Sequence, residues 1–237
     1  MKLKYSLITV LLSLAVTLIA AACFAGWTDA VNDTGSQFAD EGAKAAGLPY
    51  TPSEAVAGVR EVLSLGTDSA VSTLGQPGGF SSNPAMAIPL PDMLKGLGGD
   101  SSGLVSSMNM AAESAVPSTG NIFLDAIQNL AVGDASTLLG GGEDAITRFF
   151  EKSSRATLKT LVKPIVTTSV DQTGAGTYLN AMFATQQATG IDGPTFDVYD
   201  YVTDRTLDGM FLVMGMQEKS IRADGGLQTS DLLQKIF

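Results

Sequence analysis

Four aspartates near the C-terminus, Asp197, Asp200, Asp204 and Asp208, come nearest to a chemical site in residue type and spacing. The last three recur every four residues, so on a helix they share one face. Such a face could bind a metal ion or supply a carboxylate pair. No D-x-D-x-D-G calcium loop accompanies it, and solvated like charges at this spacing cost only roughly a few tenths of a kcal/mol. The plainer account is an exposed acidic face, or one paired with a basic stripe elsewhere. Such a stripe exists. Arg148, Lys152, Arg155, Lys159 and Lys163 follow one another at helical spacings and project together. They read either as an anion-binding surface, for lipid headgroups or an acidic partner, or as a solvated face partly neutralised by Asp144 and Glu151 at i,i+4.

Two more features could carry chemistry. Glu113 lies among alanines, where it is either a buried acid available for catalysis or a carboxylate bonded to a loop amide. Gly140, Gly141 and Gly142 precede a helix whose N-terminus could hold phosphate, but Glu143 and Asp144 already stand at that positive end. The chain has no histidine, which removes Ser-His-Asp and Cys-His catalysis, the usual zinc sites and the commonest general base near neutral pH. No cofactor or metal signature emerges. The leading reading is a non-catalytic binding or structural module; the rival is a hydrolase or lyase working through carboxylates such as Glu113 or Asp208.

The chain that must position these groups opens with the parts of an export signal. Lys2 and Lys4 precede an apolar run from Leu7 to Ile19 and then Ala20, Ala21 and Ala22. Two cuts fit this segment. Ala20-Ala21-Ala22-Cys23 resembles a lipobox, which would make Cys23 the acylated first residue, although an alanine replaces the usual leading leucine; cutting after Ala25 would discard Cys23. Cys23 is the only cysteine, so no intrachain disulfide can form. Residues 1–25 are thus read as a signal peptide and 26–52, poor in large apolar residues, as a tether reaching on the order of 30 Å. The formal charge is −10. A field of that sign disfavours nucleic acid as a partner and favours solubility. The export signal, the tether and the basic stripe point instead to a membrane surface or an envelope protein as partner, with the periplasm as the compartment.

Residues 53–237 read as helices throughout. Thr51-Pro52-Ser53-Glu54 has capping-box spacing, and Val56, Val59, Leu63, Gly66, Ala70 and Leu74 form one apolar face. A proline-rich loop from Gln76 to Pro91 follows, pinned by Phe80, Ile88 and Leu90. Pro117 is expected to close a helix begun at Ser101, with another from Ser118 to Ala131. Asp134 caps a brief helix. Glu143 to about Thr168 is the basic one, its apolar side Ile146, Phe149, Phe150, Leu161 and Ile165, with Pro164 expected to kink or end it. Thr177 to Ala188 turns Tyr178, Leu179, Met182 and Phe183 inward and stops at Gly190. Tyr199 to Arg222 is apolar all the way round between Gly209 and Met216, too short a run to span a bilayer. It is therefore expected to be covered on every side. Ser230 caps a last helix. The expectation is an all-α single bundle of about seven to eight helices around this central hydrophobic one.

The segments GTDSAVSTLG (66–75), NPAMAIPLP (83–91), MNMAAESA (108–115), DAITRFF (144–150), LDGMF (207–211) and TSDLLQKIF (229–237) together resemble a bacterial family of exported proteins known only as a domain of unknown function. The resemblance runs in order from about Ser53 to Phe237. It departs at Met110, where the MN-x-AAE motif leads one to expect arginine, and in a short connection from Gly96 to Gly103. It implies an envelope location and a helical domain, and brings no activity, substrate or cofactor.

Overall fold

The computed structural model describes residues 36–97, 99–187 and 195–237. The signal segment with Cys23, the Gly190 stop and the Gly193-Pro194 loop lie outside the described residues. The chain divides into two units, 1–55 and 56–237. In the first, residues 36–45 of the segment read as a tether are helical (α1). Thr51 and Glu54 cap each other reciprocally: the Thr51 amide donates to the Glu54 carboxylate at 2.7 Å, and the Glu54 amide to the Thr51 hydroxyl at 3.2 Å. This capping box opens α2, Pro52–Leu74.

The second unit holds the rest: α3 Ser101–Gln128, α4 Ala135–Leu139, α5 Ala145–Thr173, α6 Ala175–Gln187, α7 Val198–Ala223 and α8 Asp231–Ile236. Single turns of 3-10 helix cover Asp92–Leu94 and Gly225–Leu227. No strand occurs among the described residues, and the fold is all-α. The two helices α3 and α5 pack along each other and along α7. At the meeting point Phe123, Phe150 and Phe211 stand mutually edge-on or tilted, with centroids 5.3 to 5.9 Å apart. Such aromatic pairs add about 0.5–1.5 kcal/mol each beyond the area they bury.

Neither internal proline ends its helix. Pro117 lies within α3 and Pro164 within α5. Each removes one ladder hydrogen bond, but both prolines sit on exposed flanks while the opposite face stays buried without a break. In α3 that face runs through Met108, Ala112, Ala115, Thr119, Phe123 and Ile127. Next to Pro117, Gly75 makes room: a β-carbon there would lie 3.3 Å from the proline ring. Freed beside Pro164, the Thr160 carbonyl belongs to an exposed residue and can face solvent. The helix α5 runs on to Gly174, whose φ of 75° is left-handed and suits glycine.

The inward face of α5 is also shifted from the expected one. Ile146, Phe150, Leu158, Val162, Val166 and Val170 are buried, at regular multiples of four. Phe149 and Ile165 are only half-buried, and Leu161 is exposed. On α6, Leu179 and Met182 turn inward as expected, but Tyr178 is exposed and lies over Gly103 of α3.

The helix α7 is central but open on one side. Met210, Phe211, Val213 and Met214 are all buried, whereas Leu212 is 43% and Met216 56% exposed. The expectation that this run is covered on every side is therefore corrected: three sides are packed and one faces solvent. Two glycines set the packed sides. At Gly66 of α2 a β-carbon would sit 3.3 Å from the Met214 backbone, and at Gly209 of α7 it would sit 2.8 Å from the Phe80 ring.

Candidate functional site

The basic stripe and the acidic series meet. Lys159 on α5 bonds Asp200 and Asp204 on α7, each at 2.8 Å, and Lys163 bonds Asp200 at 3.0 Å and Asp197 at 3.5 Å. Arg155 bonds Asp208 and, at 2.8 Å, Glu151 of its own helix. Asp197 also caps α7 through the Asp200 amide. This ladder forms because α5 and α7 pack side by side, with basic and acidic faces repeating at the same helical spacing. Arg148 turns to Asp144 instead, and Lys152 makes no ion pair among the described residues.

The pairing moves the titrations outward. Hydrogen bonds from Lys159 and then Lys163 hold the Asp200 carboxyl below the usual carboxylate range, against a small penalty from burial. Hydrogen bonds to Asp200 and Asp204 push Lys159 up, and the bond to Asp200 pushes Lys163 up. A depressed acid stabilises above its unfolded value, near 3.8, and loses that contribution as pH falls through the folded value. A raised lysine stabilises below about 10.5 and loses it as pH rises through the folded value. The ladder's contribution is thus expected to be flat between these limits and to fall on both sides. Asp200→Asn should cost roughly 1 kcal/mol or less, the range of solvent-screened ion pairs. Thermal melts against pH, repeated at about 1 M salt where screening is strongest, check this; a mutant penalty unchanged by salt would contradict it.

Glu113 is bound to a loop. Its carboxylate accepts from the amides of Gly78, Phe80 and Ser81, each at 3.1 Å, and from the Ser81 hydroxyl at 3.2 Å. One turn earlier, buried Asn109 accepts from the Ile88 amide at 2.9 Å and donates to the Ile88 carbonyl at 3.0 Å. The MN-x-AAE segment is a clamp on the proline-rich loop, and position 110 points outward: Met110 is exposed. The clamp seats Phe80 against Gly209 of the LDGMF segment, while the Tyr201 hydroxyl donates to the Pro89 carbonyl at 3.0 Å. Ile88 is fully buried as expected; Leu90 is only half-buried.

A second buried acid, Glu218, stands four residues before Arg222, a spacing that marks it in the sequence only as an i,i+4 ion-pair partner. Glu218, fully buried on α7, accepts from the Ile146 and Thr147 amides at 3.0 and 2.8 Å and from the Thr147 hydroxyl at 2.7 Å. It thereby caps α5, whose own Asp144 makes no side-chain cap. Arg222 donates twice to Glu218 and also to the Leu138 and Leu139 carbonyls at the end of α4. Its guanidinium lies 4.9 Å from the Phe237 ring. The anion position after the triple glycine is filled by the protein's own carboxylate.

Between the start of α5 and the open side of α7 lies a groove of about 1080 Å³. Leu212, Gly215, Met216 and Phe149 give it apolar surface, and its charged lining includes Arg148, Lys152, Glu151, Asp208 and Lys219. Glu151 and Asp208 are two carboxylates on one cleft, but Arg155 bridges them through separate nitrogens, so a guanidinium fills the place a reacting bond would need. Among the described residues no cluster of three or more acidic or thiol groups could hold a metal ion. No helix among them is long and apolar enough to cross a membrane.

The geometry and the motifs together define a class: an all-helical domain in which the motif residues hold helices and a loop in place. Residues 49–237 match the family described as "Protein of unknown function (DUF4197)", and the chain belongs to it. No curated protein and no solved structure matches the chain.

Proposed function

We propose that this chain is an exported, non-catalytic module of the cell envelope that binds a protein partner through the groove between α5 and α7. The observation that carries this reading is the exposure of Leu212 and Met216 on a helix whose other valine, leucine, isoleucine, methionine and phenylalanine side chains are buried. Apolar side chains left open beside mixed charges are what a partner's surface covers. The rival, carboxylate-based hydrolysis, loses support from its own residues: Glu113 is occupied by three loop amides and Asp208 by Arg155. Within the stripe Arg155, Lys159 and Lys163 face aspartates of α7 and Arg148 pairs with Asp144, so contact with anionic groups falls first to Lys152 at the groove's edge, beside the mostly exposed Arg148. That favours a folded partner with some acidic groups over a bare lipid surface.

Export rests on the sequence of residues 1–25, with Cys23 as the proposed lipidation site if cleavage falls before it. Mass spectrometry of the mature N-terminus decides between acylated Cys23 and a cut after Ala25. For the groove, a photo-reactive amino acid at Leu212 should give protein adducts in cells producing the full chain, and one at exposed Leu161 should not. Equal labelling from both positions, or none from Leu212, contradicts the reading.

A further inference from the structure

The open side of α7 carries opposite charges at its two ends. Asp208, Leu212, Gly215, Met216 and Lys219 follow at four, three, one and three residues, which places them on one helix face. An acid stands at one end, a base at the other, and the apolar residues lie between. We infer that the groove's occupant is a second copy of this chain, with the two α7 helices crossing antiparallel about a two-fold axis between Val213 and Met214. This rests on the groove being a binding surface. Under such an axis, positions whose numbers sum to 427 face each other, so Asp208 of one copy meets Lys219 of the other, and Leu212 meets Gly215.

These two pairings are physically complementary, and Met216 would face Phe211, which is buried but lines the groove. Gly215 has no side chain and lines the groove half-buried, so a leucine from outside can come close to its backbone; a β-carbon added there would itself touch Asp144 and Thr147 of α5, at 3.6 and 3.9 Å. Lys219 already bonds Glu143, but in a solvent-facing pair whose side chains are mostly exposed, and an ammonium has three donors to share. One Asp208 oxygen bonds Arg155, while the other has only Arg205 at 3.5 Å. A net charge of −10 opposes pairing of two copies in general. A face that carries both signs in reversible order removes that opposition locally, and isologous contact is the commonest way for identical chains to pair. The face is short beside the ~800 Å² per partner of standard interfaces, so the dimer is expected to be concentration-dependent.

The test uses two charge-reversed chains, each purified from cells expressing the full sequence. Asp208→Lys places lysine opposite Lys219 and Lys219→Asp places aspartate opposite Asp208, so each alone should sediment as a monomer where the wild type dimerises. Mixed one to one, every pair is again opposite in sign, and a dimer of one chain of each kind should return. Should Asp208→Lys disturb the Arg155 ladder, Leu212→Cys with Gly215→Cys in a Cys23→Ser background gives an independent reading: the double variant should cross-link between chains in cells and either single variant should not. A monomeric wild type at all concentrations, or single reversals that dimerise normally, overturns the inference. If Leu212 still photo-labels another protein under those conditions, the groove remains a binding surface and only the second copy is rejected.

Discussion

Glu218→Ala should lose about 3–5 kcal/mol of stability in urea denaturation, the cost of leaving a buried charge without its partner. The substitution removes one acceptor group from five donors: two amides and a hydroxyl at the start of α5, and two nitrogens of Arg222. Arg222 would keep the Leu138 and Leu139 carbonyls but lose its counter-charge in a setting where its side chain is only 13% exposed. Against a typical total of about 5–15 kcal/mol this is a large fraction. Glu218→Gln should cost less, because one oxygen still accepts, yet its amide nitrogen must point a donor at another donor. Combining Glu218→Ala with Arg222→Ala should cost less than the sum of the two, since neither charge is then stranded. A single-mutant loss below about 1 kcal/mol, the worth of a screened surface pair, would show that the pair does not join α4, α5 and α7.

The second large effect is expected at the loop clamp. Glu113→Ala strands the Gly78, Phe80 and Ser81 amides, and a buried donor left unsatisfied costs about 1–3 kcal/mol. Of the three bonds, the one to Phe80 is fully buried, so the total should fall near 2–4 kcal/mol rather than three full penalties. Hydrogen exchange distinguishes this from general destabilisation. Amides 78, 80 and 81 should lose protection first, followed by the neighbours of Gly209 as the Phe80 ring loosens from its seat. Uniform loss across α3 and α7 would instead assign Glu113 a role in the bundle as a whole.

Local signals in the sequence were those whose physics is local. The Thr51/Glu54 capping box and the caps at Asp134, Asp197 and Ser230 need only a few neighbouring residues, and three of these four helix starts are visible in the residue order alone. The binding of Glu113 to loop amides was also one of two readings open from its alanine-rich setting. Pro117 misled, and Pro164 does not end its helix, because a proline's effect depends on what the opposite face buries, which is a tertiary fact. The apolar side of α5 was displaced for a related reason. Phe149 and Leu161 are as apolar as Phe150 and Leu158, and only the position of α3 and α7 decides which set goes inside. Glu218 carries only one local mark, its i,i+4 spacing to Arg222; the amides it caps lie 71 and 72 residues away. The one-sided opening of α7 was hidden because Leu212 and Met216 look like core residues in any sequence pattern.

Methionine oxidation by peroxide, mapped by mass spectrometry, tests the central claim on a single helix. Met210 and Met214 are buried on α7 and Met216 is open, within one turn of Met214 and two of Met210. In dilute folded protein Met216 should oxidise while Met210 and Met214 stay reduced, and in the producing cells Met216 should also be shielded by whatever covers the groove. Oxidation of Met210 in the folded protein, or equal reaction of Met216 in cells and in dilute solution, would contradict the account.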